Sequence, residues 1–105
     1  MDEFVVKCRT TRFTLSREQI EFDSPNFFST CFLENDYTEG ESKTVTVRSH
    51  PMLFELIIEH LSGYCILPLN PVALPRTMTL ETAYQNLLKD AQYYQLDGLI
   101  RMLQT

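Results

Sequence analysis

The sequence predicts an α+β domain in which a small mixed sheet is flanked by a bundle of helices. Segments of alternating apolar residues cluster in the first half of the chain, and segments with helical spacing predominate in the second. Strand patterns grouped early and helix patterns grouped late favour a mixed α+β arrangement. A chain of 105 residues is long enough for one hydrophobic core, so we expect a single domain over residues 1–105.

The composition excludes several classes of protein. Hydrophobic residues make up 44% of the chain, including seven Phe and five Tyr, which argues against disorder. The net charge of −5 disfavours nucleic-acid binding, because such proteins usually present a basic face to the phosphates. The longest apolar stretches are far shorter than the ~20 residues of a membrane-spanning helix. An odd number of cysteines indicates a reducing compartment, so we expect a cytoplasmic or nuclear protein.

The beginning of the chain has the pattern of a β-hairpin. Every second residue of the first apolar segment falls on one face, which comprises Phe4, Val6 and Cys8. After a tight connection at residues 9–11, the alternation resumes over residues 12–15. We therefore expect two antiparallel strands.

Two further strands are predicted downstream. Residues 43–48 are rich in β-branched side chains, and Val45 and Val47 would face the core. Residues 65–67 are apolar and predict a short strand that ends before Pro68.

Two short helices are expected between the hairpin and the third strand. Ser16 followed three residues later by Gln19 has the spacing of a capping box. Ser24 and Pro25 indicate a second start, with Ser as the cap and Pro at the first helical position. The apolar stripe of this helix comprises Phe27, Phe28, Cys31 and Phe32. An acidic loop is expected over residues 34–41.

Three more helices are predicted in the second half. His50 and Pro51 begin a helix that is apolar around most of its circumference, so we expect it at the centre of the core. Gly63 ends this helix because glycine tolerates the left-handed conformation. Residues 68–79 contain three prolines and predict an extended connector. Thr79 caps the next helix, whose inner face would hold Leu80, Tyr84, Leu87, Leu88, Ala91 and Tyr94, and a last helix follows from residue 97.

The sequence carries no recognisable catalytic set, so we expect no enzymatic activity and no cofactor. It has no glycine-rich phosphate loop, and His50 and His60 lie far from any cysteine at metal-ligand spacing. Cys31 with a distant histidine could form a thiolate pair, but its place on a Phe-rich stripe favours an inert buried thiol. Glu55 and Glu59 are one helical turn apart, and a solvated helix face explains them better than paired catalytic carboxylates.

Five local motifs follow one another along nearly the whole chain. They occupy residues 4–6 with 12–16, 23–32, 44–47 with 51–54, 57–64 and 88–99. In this order they resemble the opening hairpin, the Ser-Pro-x-Phe helix, the third strand and its helix, the glycine-terminated helix end and the Ala-x-x-Tyr-x-Leu-x-x-Leu helix pair of the BTB/POZ fold. The resemblance implies a protein–protein interaction domain that assembles with itself.

Within this family the chain resembles the potassium-channel tetramerisation branch. Only three residues precede the first predicted strand, so we expect no exchanged N-terminal helix of the kind that ordinary BTB dimers use. Residues 9–11 replace the Gly-Gly turn of that branch, and the zinc-binding His/Cys cluster of some members is absent. The proline-rich segment over residues 68–79 is also similar to a group of fungal BTB proteins.

The resemblance also implies a partner-binding surface. Many BTB adaptors have a hydrophobic-x-Glu element that engages a cullin-family ubiquitin-ligase scaffold, and Tyr37 and Glu39 resemble it here. The exposed side of the preceding helix would hold Asn26, Ser29, Thr30 and Leu33. We therefore expect homo-oligomerisation together with recruitment of a cullin scaffold. The alternatives are an acidic loop with an incidental tyrosine, and a regulatory or transcription-associated oligomerisation module that binds no cullin.

Overall fold

The computed structural model describes residues 3–34 and 43–105. Within these ranges, three strands form one mixed sheet in the order β2-β1-β3. The strands are β1 (Glu3–Cys8), β2 (Thr11–Ser16) and β3 (Thr44–Val47). β1 and β2 are antiparallel, and β3 lies parallel to β1. The predictions of the hairpin and of the third strand are confirmed.

Five α-helices and one turn of 3₁₀-helix accompany the sheet in the described part of the chain. They are α1 (Arg17–Glu21), α2 (Phe27–Leu33), α3 (Pro51–Leu61), the 3₁₀ turn Pro71–Ala73, α4 (Leu80–Tyr93) and α5 (Asp97–Leu103). The sheet and the helices share one core of buried apolar side chains. The predicted α+β fold class is therefore confirmed.

The alternation in β1 buries one of its faces. Phe4, Val6 and Cys8 are all at most 1% exposed, as the period of two predicts. Arg9 follows in the left-handed region with φ of 59°, a conformation that glycine more often supplies. Thr11 already pairs with Cys8, so the connection between the strands is shorter than the sequence indicates.

Reciprocal side-chain caps define the starts of two helices. The Ser16 hydroxyl accepts a hydrogen bond from the Gln19 amide at 3.2 Å, and the Gln19 side chain accepts one from the Ser16 amide at 2.9 Å. Thr79 and Thr82 form the equivalent pair at the start of α4. Each pair satisfies backbone donors that the first helical turn leaves open. Both predicted caps are confirmed.

The helix α3 lies at the centre of the core. Its most deeply buried apolar side chains are at most 2% exposed: Leu53, Phe54, Ile57 and Leu61. Glu55 and Glu59 face the solvent. Gly63 follows with φ of 91°, which confirms the predicted helix end.

The predicted start of α2 at Ser24 and Pro25 is wrong. The helix begins at Phe27, and its cap is Asn26, whose extended backbone has φ of −149°. The side chains of Asn26 and Ser29 each accept a hydrogen bond from the other's amide at 2.9 Å. This reciprocal pair satisfies two backbone donors, whereas a serine cap before proline would satisfy one.

Two predictions about the connecting segments also need correction. Residues 65–67 form no strand, and Cys65 is exposed. The connector that follows is anchored rather than simply extended, because Leu69 and Leu74 are buried on either side of the 3₁₀ turn.

The predicted place of Leu80 on the inner face of α4 is wrong. Leu80 is 50% exposed, because the inner stripe of α4 passes instead through Ala83, Leu87, Ala91 and Tyr94. That stripe has the spacing of a single helix face.

Candidate functional site

The predicted partner-binding helix, α2, is held firmly against the core. The Phe28 and Tyr94 rings lie 4.9 Å apart between centroids, and the Phe32 and Phe4 rings lie 5.0 Å apart. The Phe27 amide also donates to the Tyr94 carbonyl oxygen at 2.8 Å. The opposite side of α2 is therefore presented in a fixed orientation.

Asn26 does not belong to that presented side, and its predicted exposure is wrong. Its side chain is fully buried, and its amide group donates to the carbonyl oxygens of Ile20, Phe22 and Asp23 at 3.1–3.2 Å. Its side-chain oxygen meanwhile caps α2. Because a buried amide needs partners for all its polar atoms, these bonds hold Asn26 inward.

Three of the other predicted site residues share the outer side of α2. Ser29, Thr30 and Leu33 are each half-buried, and we call them the α2 face. The Ser29 hydroxyl is occupied by the cap with Asn26, so Thr30 and Leu33 supply most of the chemistry available to a partner. Tyr37 and Glu39 lie outside the described residues, as does most of the predicted acidic loop over residues 34–41.

A polar junction that sequence reasoning missed holds the turn before α2 in place. The Asp23 carboxylate accepts hydrogen bonds from the amides of Gly98 at 2.8 Å and Leu99 at 3.2 Å, at the start of α5. Its Oδ2 also lies 2.8 Å from Nε2 of His60 on α3. One side chain therefore joins the turn before α2 to two other helices. In the sequence, the signal for this junction was His60, which falls on the buried side of the largely apolar helix α3.

A second polar cluster lies between the end of β3 and α4. The Cys8 thiol donates to the Ser49 carbonyl oxygen at 2.7 Å, and the Ser49 and Tyr94 hydroxyls share a hydrogen bond. Burial raises the pKa of Cys8 to about 11, against a smaller lowering by Arg9. Burial likewise raises the pKa of the Tyr94 hydroxyl. Both groups are therefore neutral hydrogen-bonding groups near pH 7, not nucleophiles.

Cys65 is exposed and Cys8 is buried, and the resulting difference in the reactivity of the two thiols can be measured directly. With iodoacetamide at mildly alkaline pH, we expect exposed Cys65 to be alkylated more than about tenfold faster than Cys8, because the reactive species is an accessible thiolate. Peptide mass spectrometry over time follows each site. In denaturant the difference should vanish, which serves as the control. Equal rates in the folded protein would contradict the burial of Cys8.

No candidate metal centre emerges from residues 3–34 and 43–105. Within them, no group of three or more His, Cys, Asp or Glu side chains could hold a metal ion. None of the helices described there is both long enough and apolar enough to cross a membrane.

Comparison with known proteins leaves the family open. No protein-family model matches the sequence. No curated protein matches it either.

Proposed function

We propose that this chain is a BTB/POZ-like protein-interaction domain that self-associates and recruits a second protein, a cullin-type scaffold. The observation that carries the proposal is the order of its elements. A hairpin, two short helices and a strand parallel to β1 are followed by α3, α4 and α5. The five sequence motifs that resemble this family occur along these same elements in the same order.

Exposed apolar side chains support self-association. Phe22 is 42% exposed and packs edge-on against His60, with ring centroids 5.4 Å apart. Its ring also lies beside Gly63, and Tyr64, the next residue, is 63% exposed. Apolar surface left uncovered in this way commonly becomes part of a symmetric interface. We assign the contact between copies to this end of α3.

Recruitment of the scaffold is assigned to the α2 face together with Tyr37 and Glu39. The α2 face is fixed by the packing of Phe28 and Phe32, so binding there requires no ordering of the helix. Leu33 packs partly against the core, and its remaining exposed surface offers an apolar contact at the end of α2. Tyr37 would add an aromatic anchor, and Glu39 a charge at the rim of the interface.

Calorimetric titration with the N-terminal domain of a cullin tests this assignment. Tyr37→Ala should weaken binding roughly thirtyfold, because a central aromatic anchor carries about 2 kcal/mol or more. Glu39→Ala should weaken it less, since a rim charge acts mainly on the association rate. The matched control is Val72→Ala, an exposed apolar residue on the 3₁₀ turn, outside both the α2 face and the proposed contact between copies, which should bind normally.

Two outcomes would overturn the scaffold assignment. One is that the unmodified domain binds no cullin, which would leave an oligomerisation module without a ligase link. The other is that binding survives the removal of both Tyr37 and Glu39.

A further inference from the structure

A groove of about 550 Å³ separates the end of β3 from α4, and none of its lining residues belongs to the α2 face. Residues 46–49 line its strand side. Its helix side is formed by Lys89, Asp90, Tyr93 and Tyr94, which lie on one face of α4 and its C-terminal cap. A groove between an edge strand and a helix has the shape that accommodates an extended peptide.

The strand side of the groove offers backbone hydrogen-bonding groups. In the parallel ladder the Val5 amide donates to the Lys43 carbonyl oxygen at 2.8 Å, and Lys7 lies opposite Thr46. This register directs the backbone groups of Val45 and Val47 toward β1 and those of Thr46 toward the other edge. Among residues 3–34 and 43–105, no strand pairs with that edge. An added strand can therefore pair with β3 at Thr46.

The charges at the groove select the ligand. Arg48 and Lys89 are exposed at its rim, in a chain whose net charge is −5. Asp90 is half-buried beside Ser49, and burial raises the pKa of this carboxyl while a hydrogen bond with Ser49 lowers it. Two cations at the rim favour an acidic ligand. The half-buried carboxyl of Asp90 favours a hydrogen-bond donor in the middle of that ligand.

An aromatic wall completes the site. Tyr93 is 64% exposed, yet its ring is held by Phe27 at 5.4 Å and by Tyr94 at 5.2 Å between centroids. A partly exposed aromatic side chain in a fixed position is a typical anchor for a protein ligand, because little side-chain entropy is lost on binding.

We propose that this groove binds an acidic segment of a partner protein in extended conformation, as a fourth strand added to β3. The segment pairs with Thr46 through its backbone, places acidic side chains near Arg48 and Lys89, and presents a hydroxyl or amide to Asp90. The groove shares no residue with the α2 face, so this site and cullin binding can fail independently.

Selection from a phage-displayed library of random dodecapeptides tests the proposal, followed by fluorescence polarisation with the enriched peptides. We expect them to be net negative and to bind more weakly as the salt concentration rises. Arg48→Glu and Lys89→Glu should each weaken binding ~tenfold or more. Arg76→Glu makes the same change of charge at an exposed position outside the groove and should have no effect.

Thr46→Pro tests the backbone pairing separately. Proline removes the amide at the open edge of β3 and leaves the hydrogen bonds to β1 in place, as proline in an edge strand can. Binding should be lost while the melting curve remains cooperative. If this variant does not fold, methylation of alternate backbone nitrogens of the selected peptide provides the same test, and one alternating set should abolish binding.

Several results would overturn the proposal. They are the enrichment of no peptide, the enrichment of neutral or basic peptides, and binding that is insensitive to Lys89→Glu or to both backbone tests. Light scattering on the same variants can give one further result that would overturn the proposal. If Lys89→Glu and Thr46→Pro convert an oligomer into a monomer, the groove holds a second copy of this chain and not a partner's segment.

Discussion

Truncation of Phe54 to alanine should lower the free energy of unfolding by about 3–5 kcal/mol. Its side chain is fully buried on α3. The ring lies 5.2 Å from Phe13, 5.9 Å from Phe28 and 5.8 Å from Tyr94 between centroids, so it packs against the hairpin, α2 and the end of α4. Alanine would leave a cavity where these elements meet, and a cavity walled by several elements is difficult to close by local relaxation.

Urea unfolding followed by circular dichroism measures this effect. A domain of this size has a total stability of about 5–15 kcal/mol, so Phe54→Ala together with Ile57→Ala should leave it largely unfolded. Glu55→Ala is the control on the same helix, because that side chain faces solvent and its loss should change stability little. A double variant that unfolds at the same urea concentration as the unmodified chain would contradict the central position of α3.

The second large effect is expected at Asp23. Replacement by glycine should lower the free energy of unfolding by about 2–4 kcal/mol, because the Gly98 and Leu99 amides and His60 lose a shared acceptor away from bulk water. Asp23 has φ of 58°, a conformation that glycine adopts without strain. The loss would therefore report the missing carboxylate and not a distorted backbone.

Asp23→Asn provides the matched comparison. Asparagine also tolerates the left-handed conformation and keeps one acceptor oxygen. The free energy of unfolding should therefore fall less in Asp23→Asn than in Asp23→Gly. Hydrogen exchange should accelerate at the amides of Gly98 and Leu99 in the glycine variant, while the amides of the hairpin change less. If Asp23→Gly and the unmodified chain melt at the same temperature, Asp23 does not join α3 to α5 as described.

Local patterns predicted most of the secondary structure. The alternation of Phe4, Val6 and Cys8 determines which face of β1 is buried, because side chains in a strand point to opposite faces in turn. The capping box of Ser16 and Gln19 requires only residues three apart, so it is visible in the sequence. The nearly continuous apolar surface of α3 likewise indicates a central helix before any tertiary packing is known.

Two of the features that sequence reasoning missed depend on residues far apart in the chain. Asp23 meets Gly98 across 75 positions, and Ser49 meets Tyr94 across 45. No local period indicates that these groups come together. Asn26 was predicted to lie on the exposed side of α2, opposite the Phe-rich stripe, but its side-chain amide donates to three carbonyl oxygens of residues three to six positions earlier. The hydrogen bonds of Asp23 and Ser49 are tertiary, whereas those of Asn26 are formed within the segment that directly precedes α2.

The failed prediction of a strand over residues 65–67 has a related cause. A short apolar run cannot be assigned to a strand by its periodicity alone, because the same run can be packed in another conformation. The sheet ends at β2 on one side and at β3 on the other, and residues 65–67 pair with neither. Leu69 and Leu74 are buried instead, which anchors the proline-rich connector to the core.

Multi-angle light scattering of the purified chain tests the central claim, self-association, most directly. At concentrations on the order of tens of micromolar, we expect one species whose mass is a whole-number multiple, two or greater, of the chain mass. Phe22→Ser with Tyr64→Ser should shift that species toward the monomer while the fold is retained, because both side chains are exposed. A mass equal to that of a single chain at every concentration would contradict the account.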